Sequence, residues 1–474
     1  MCPDVRNIIS KAKLKSLFSD IGEAISGTEQ DFTEGRLSRA ILLLSIPAVL
    51  EMIMESVFVI VDIYFVSKLG ADAVATVGLS ESLVFIVYAI SVGLATATTS
   101  MVSRRIGEKN PDKASFTAVQ AILTGIAVSL LIAIPGAIFA SDLLHLMGAS
   151  GEIIERYSSY AAIMLGSNTV IMLLFIINAV FRSAGDAAVA MRILWVGNIL
   201  NIILDPCLIF GIGPFPELGI KGAAIATVTG RGLAVLYQFW LLFFGKTRIR
   251  ISLRHFGINF RIIGRLLRLS LGTIGQNLIG TTSWIALVRI ISVFGSEIVA
   301  GYTIGLRIIS FVMLPSWGIA NAASTLVGQN LGARKPERAE KSVMVTGWVN
   351  MILLGIIGGI LVTFPSTFIR FFIQEPAVVE AGISCLRIIS IGFIAYGFGM
   401  VLVNSFNGAG DTFTPLKINI FAFWVLEIPL AWVLAIHSGM NEQGVFTAIV
   451  IAETIMTITA WIVFRRGKWK LKTV

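Results

Sequence analysis

The sequence predicts an all-α integral membrane protein, with twelve transmembrane helices in two pseudo-symmetric six-helix lobes. Three observations carry this reading. Mean hydropathy is +0.86, and only 14% of residues are charged, where a soluble domain carries about 25%. The apolar runs are close to the ~20 residues that a bilayer-crossing helix needs, which argues against the alternating ten-residue strands of an outer-membrane barrel. The chain also repeats itself at one constant offset of 225 positions.

In chain order, residues 1–35 hold no long apolar core and no cleavage-like site, so they are not read as a secretory signal. Leu14, Leu17, Phe18, Ile21 and Ile25 recur at helical spacing beside Lys11, Lys13 and Lys15. This suits either an amphipathic helix on an anionic membrane face or an unstructured tail. The first span, LSRAILLLSIPAVLEMIMESVFVIVDIYFVSKLG (37–70), contains Glu51, Glu55 and Asp62. At about 100° per residue, Glu55 lies roughly 40° and Asp62 roughly 20° around the helix from Glu51, so all three share a face. A charge at mid-membrane costs about 2.5–3.5 kcal/mol even on lenient scales, and three on one stripe therefore suggest a polar pathway. Pro47, one turn before Glu51, removes a backbone bond and is expected to bend the helix as a hinge.

Further spans are expected near 77–103, 115–140, 158–181, 187–210 and 219–244. After a basic connector they continue at 262–294, 303–328, 342–364, 384–406, 414–437 and 444–464. Orientation follows from Lys and Arg. Of the 37, 29 fall on the side of the two termini and only Lys68, Arg156, Lys221, Arg370 and Arg387 on the other, while Arg231, Arg289 and Arg307 lie within spans. Both termini are thus expected in the cytoplasm. The net charge of +9 is a topology signal, and nucleic acid is not needed to explain it.

The repeat pairs GEKNPDKA (107–114) with GARKPERA (332–339), AGD (184–186) with AGD (409–411), Gly70 with Gly295, and Glu217 and Gly219 with Glu442 and Gly444. An even number of spans per copy gives a parallel repeat, with two lobes facing a cleft, as alternating-access transporters are built. The expected division is a cytoplasmic N-terminal segment (1–35), a first lobe (36–244), a basic linker (245–261), a second lobe (262–466) and a tail (467–474).

Glu51, Glu55 and Asp62 answer to Gln276, Gly280 and Leu287 in the second copy. A purely architectural acid would more naturally appear in both copies, so the asymmetry suggests an ion or proton site in the first lobe. NILNIILDPCLIF places Asn201 and Asp205 at i,i+4 on the fifth span, and Pro206 frees backbone groups beside them. Asn178 closes the fourth span and Thr227 lies on the sixth. These are hard oxygen ligands, suited to Na⁺ or to a hydrogen-bonded protonated acid. Glu427 and Glu453 stay unassigned: Glu427 could touch a substrate or pair with Arg289 or a backbone group.

Other classes are disfavoured. Cys2, Cys207 and Cys385 show no CxxC, and the three histidines lie far apart, so neither a disulfide framework nor a metal centre is indicated. GAGD (408–411) fits an intramembrane aspartyl-protease pattern, but the chain has no Tyr-Asp dipeptide, and AGD recurs at 184–186 as a turn element. No Walker A motif is present. The reading is of a non-enzyme without cofactor. A membrane scaffold without transport is disfavoured by the polar cluster in a single lobe.

Taken together, Pro47 in the first helix, VDIYFVSKLG (61–70), RRIGEKNPDKA, QNLGARKPERA, FRSAGDA, FNGAGDT and NILNIILDP resemble the MATE (multidrug and toxic compound extrusion) transporters over nearly the whole chain after Arg36. The resemblance implies export of organic cations or amphiphilic drugs in exchange for H⁺ or Na⁺, in the plasma (inner) membrane, with a monomer expected. It is nearest the DinF-like branch, which implies that Asp62, Asp205, Asn201, Asn178 and Thr227 form the cation site. If the ion is Na⁺, Asp62, Asp205, Asn201 and Asn178 would be its ligands. The carboxylates that the NorM-like branch carries on the seventh and tenth helices are missing from those spans, and Glu51 and Glu55 are additions that bear on coupling. The alternative is a flippase for lipid-linked precursors from the same superfamily, whose cavities commonly carry several basic residues.

Overall fold

The computed structural model describes residues 19–27, 31–245 and 247–474. Leu14, Leu17 and Phe18 lie outside them, as do Cys2 and the three lysines. Among the described residues there is no β-strand. Eleven helices are long and apolar enough to cross a bilayer, and one bent pair makes a twelfth. Such helices satisfy every backbone group internally, which is what a hydrocarbon solvent demands.

The spans are α1 (Leu37–Ser67), α2 (Ala71–Gly107), α3 (Pro111–Ile138), α4 (Gly151–Ala184), α5 (Ala187–Phe210) and α6 (Ile220–Phe244), then α7 (Phe260–Ile291), α8 (Ser296–Gly332), α9 (Pro336–Thr363), α10 (Pro376–Ile391 with Phe393–Gly408), α11 (Phe413–His437) and α12 (Asn441–Arg465). Cα packing divides the chain into two compact units between Ser270 and Leu271.

The repeat reaches into the backbone. α4 is interrupted at Ser167 and α10 at Gly392, where its two parts meet at 56°; these residues stand 225 positions apart. So do Lys109 and Arg334, which both take the left-handed conformation (φ 55° and 58°) before a helix that opens with proline. A side chain in that region is strained, so its occurrence at both positions marks the same tight turn made twice. The two AGD segments are such a device too: Gly185 (φ 99°) and Gly410 (φ 83°) close α4 and α10.

Several expectations shift. α1 runs unbroken through Pro47. Helices also extend beyond the apolar runs, because hydropathy marks only the hydrocarbon core while the interfacial turns are polar. α4 reaches Ala184, so Arg182 belongs to a helix and not to a connector. α11 contains π-helical turns over Ile420–Glu427 and Val433–His437 on either side of Pro429, whose missing N–H breaks the regular ladder.

At the start of the chain, residues 19–26 are helical. Asp20 and Glu23 pair with Arg39, and buried Phe32 lies against Gly185. The described part of this segment is thus tied to the first unit. The basic linker is tied there as well: Gln120 on α3 donates to the Gly257 carbonyl (2.7 Å) and accepts from the Asn259 N–H (2.9 Å).

Candidate functional site

The three α1 acids, expected on one stripe, turn to three different sets of partners. Glu51, 4% exposed, pairs with Arg182 of α4 (2.8 Å) and accepts from Asn178 (3.3 Å), whose own carbonyl accepts from Gln238 of α6 (2.8 Å). One turn on, Glu55 accepts from Arg231 of α6 (2.8 Å) and Asn198 of α5 (3.0 Å). Two turns further, Asp62 lies near the Asp205 carboxyl group of α5.

The first of these contacts is architectural, and the second half of the chain shows why. The counterparts of Glu51 and Arg182 are Gln276 and Asn407. They bond to each other reciprocally at 3.1 and 3.3 Å, and Gln276 also donates to the Thr412 carbonyl (2.8 Å). One half makes with two amides the link that the other makes with an ion pair. Glu51 thus takes part in an inter-helix link that both copies make. Asn178, taken up by Glu51 and Gln238, is not among the groups around Asp205. Glu51 and Asp62 are 11 residues apart on α1, about 16 Å along the axis.

Arg182→Asn leaves a buried carboxylate unpaired and should cost about 3–5 kcal/mol of stability. Adding Glu51→Gln recreates the amide pair of the other half and should recover most of it. Thermal unfolding of the purified single and double variants in detergent measures both; equal losses would refute the assignment.

The Asp62–Asp205 pair has no such counterpart: the repeat puts Leu287 and Leu430 there. Asp205 is fully buried, and one of its carboxyl oxygens has no hydrogen-bond partner. Asn201 donates to its other oxygen (3.4 Å) and to Thr227 of α6 (3.0 Å), which leaves the Asn201 carbonyl oxygen unpartnered as well. Two neighbouring carboxyl groups repel unless a proton or a cation lies between them. Orphaned buried oxygens are the acceptors such an ion would use. Among the described residues, no three His, Cys, Asp or Glu side chains could hold a metal ion together. The set is thus two carboxylates with a neighbouring amide and hydroxyl, suited to a monovalent cation or a proton.

A cavity of about 260 Å³ opens beside this pair, lined by Asp62, Thr227, Glu81, Tyr88 and Arg231 among others. Sequence reasoning placed Arg231 within a span without a role and passed over Tyr88 and Glu81. The available signal was Arg231 itself, an arginine in mid-span four residues after Thr227. In the second unit, Glu427 accepts from Ser283 (2.6 Å), and Glu453 has a buried oxygen without a partner.

Twelve apolar spans in a twofold repeat, with a carboxylate pair and a cavity inside one half, define a multi-pass membrane transporter. The MatE family model matches the chain twice, over residues 47–207 and 273–433, and the chain belongs to that family. Its members are transporters and not enzymes. The chain is 26% identical to "Probable multidrug resistance protein YoeA" of Bacillus subtilis over 440 residues, 92% of this chain and 95% of that one. It is 25% identical over 447 residues to "Probable multidrug resistance protein NorM" of Thermotoga maritima, 92% and 94% of the two chains. Among solved structures it is similar to a "MOP superfamily transporter from Pyrococcus furiosus", with TM-score 0.87 and 27% identity over 93% of this chain and 98% of that one.

Proposed function

We propose that the chain is a secondary active antiporter of the DinF-like branch, exporting organic cations or amphiphilic drugs in exchange for H⁺ or Na⁺. The observation that carries the proposal is the cluster in which Asn201 bonds both Asp205 and Thr227, while Asp62 and Thr227 line one cavity. The relatives named as multidrug resistance proteins support the substrate class. A cation arriving from outside binds between the two carboxyl groups and removes their repulsion. Its charge weakens the hold of the same acids on a cationic substrate, which is released outward. The two halves then alternate access, and the cation leaves inward. Asp62, Asp205, Asn201 and Thr227 would hold the ion, whereas Glu51 and Asn178 support α1. Pro47 would supply the local compliance of α1, since its missing N–H leaves the helix one backbone bond short. The proposed setting is the inner membrane, as a monomer with both termini cytoplasmic.

The flippase reading calls for several basic residues in the cavity, whereas its lining sets Arg231 against Glu55, Asp62 and Glu81. The test uses proteoliposomes loaded with the fluorescent cation rhodamine 123. A pH gradient is imposed without Na⁺, then a Na⁺ gradient without a pH difference. Efflux under one gradient identifies the coupling ion. No efflux under either removes the antiporter reading.

A further inference from the structure

The cavity beside Asp62 also holds a cation that belongs to the protein. Arg231, 2% exposed, lies over the Phe58 ring with its guanidinium carbon 4.9 Å from the centroid. It donates to the Tyr88 hydroxyl (2.6 Å) and to Glu55 (2.8 Å). A guanidinium has five N–H donors in a fixed planar fork. These two bonds use two of them, and the buried Nε has no partner at all. An orphaned donor of a charged group is costly to bury, and a carboxylate or phosphate oxygen would satisfy it with a charge-assisted bond.

The site is specific to one half of the molecule. The repeat gives Gly280 where Glu55 stands and Met456 where Arg231 stands, so bilobal architecture does not require the pair. It is also next to the acids. Arg231 follows Thr227 by four residues on α6, about 6 Å along the axis, and Thr227 is bonded to Asn201 beside Asp205. Glu81 lines the same cavity and acts electrostatically on Asp62, which adds to the cation-attracting end. Glu55 is engaged by Arg231 and Asn198, so it cancels one charge and holds the place that a ligand anion would have to take.

We propose that Arg231 is an anion-accepting subsite inside this cavity, and that the preferred substrate is a zwitterionic amphiphile with its cationic end at Asp62 and Asp205 and a carboxylate or comparable anion on Arg231. This rests on reading the cavity as the substrate site and narrows the substrate class from cations to molecules that carry both signs. Glu55 then acts as a resident competitor for the guanidinium and sets how readily a ligand anion replaces it.

Two probes separate the charges. Rhodamine 110 has a free carboxylate, and rhodamine 123 is its methyl ester, a cation without it. Binding of each to the purified full-length protein is measured by fluorescence anisotropy. The wild type should prefer the acid by roughly tenfold, the scale of one charge-assisted hydrogen bond. Glu55→Gln frees the guanidinium and should widen the acid-to-ester ratio. The double variant Glu55→Gln/Arg231→Gln keeps a neutral polar pair for folding, checked by thermal unfolding, and should bring the ratio to about one. Equal binding of the two probes by wild type overturns the proposal, as does a ratio that Glu55→Gln leaves unchanged. The antiporter reading fails separately, if rhodamine 123 itself is not exported under either ion gradient.

Discussion

Asp205→Asn should reduce gradient-driven efflux of rhodamine 123 from proteoliposomes to the level of empty vesicles, and Asp62→Asn should do the same. Expression and thermal unfolding of both variants should stay close to wild type. Asn is nearly isosteric with Asp, and the Asn201 amide can still donate to the oxygen it keeps, so packing around the fully buried Asp205 is retained. What is lost is one of two neighbouring negative charges. The remaining carboxylate can accept an ion, but the repulsion that ion binding relieves has gone, and with it the difference between the loaded and empty states that drives transport. The Glu51→Gln/Arg182→Asn pair is the contrasting case. It also changes a buried acid on α1, yet it installs the amide pair already present at Gln276 and Asn407, and transport should persist. Transport by both aspartate variants at wild-type rates would show that the ion binds elsewhere.

The comparison of the two acids shows what could be read from the sequence. The spans were legible because a bilayer imposes length and apolarity on every one of them. The repeat was legible because Gly185 and Gly410, or the proline-led starts of α3 and α9, have conformational requirements that restrict residue type. Partners across helices were not legible. Arg231 lies 176 positions from Glu55, and helical periodicity reports only neighbours on the same helix. Arg182 was hidden for a simpler reason: the apolar run ends at Phe181, while the helix continues to Ala184, so a side chain that reaches Glu51 was counted as a loop charge. The expectation that an architectural acid would appear in both copies was sound as a principle. At Glu51 the second copy keeps the contact and changes the chemistry, from an ion pair to two amides, which residue identity alone does not reveal.

Gly230→Ala should also abolish transport, although glycine has no side chain to take part in it. α5 and α6 approach through small residues, as membrane helices do where close packing replaces a hydrophobic driving force. A Cβ at position 230 would lie 2.7 Å from the Gly197 carbonyl oxygen and 3.1 Å from the Asn201 backbone nitrogen. Both are backbone atoms of α5, so no rotamer change relieves the clash and the helices must separate. Overpacking of this kind costs about 1–3 kcal/mol. The same displacement lengthens the Asn201–Thr227 bond, 3.0 Å in the native packing, and pulls the amide away from Asp205. Gly222→Ala tests the stability effect one helix end away from the acids, because its Cβ would lie 2.3 Å from the Leu208 carbonyl. Gly232 is the control on the same helix: nothing lies within 4 Å of an added Cβ, and alanine is the better helix former by roughly 1 kcal/mol. Gly232→Ala should therefore unfold no earlier than wild type and transport normally. If Gly230→Ala unfolds earlier yet transports at the wild-type rate, the α5–α6 contact serves stability alone and the position of Asn201 does not matter to coupling. If it loses transport with a modest stability change, as expected, the spacing of two backbones sets the geometry of the ion site.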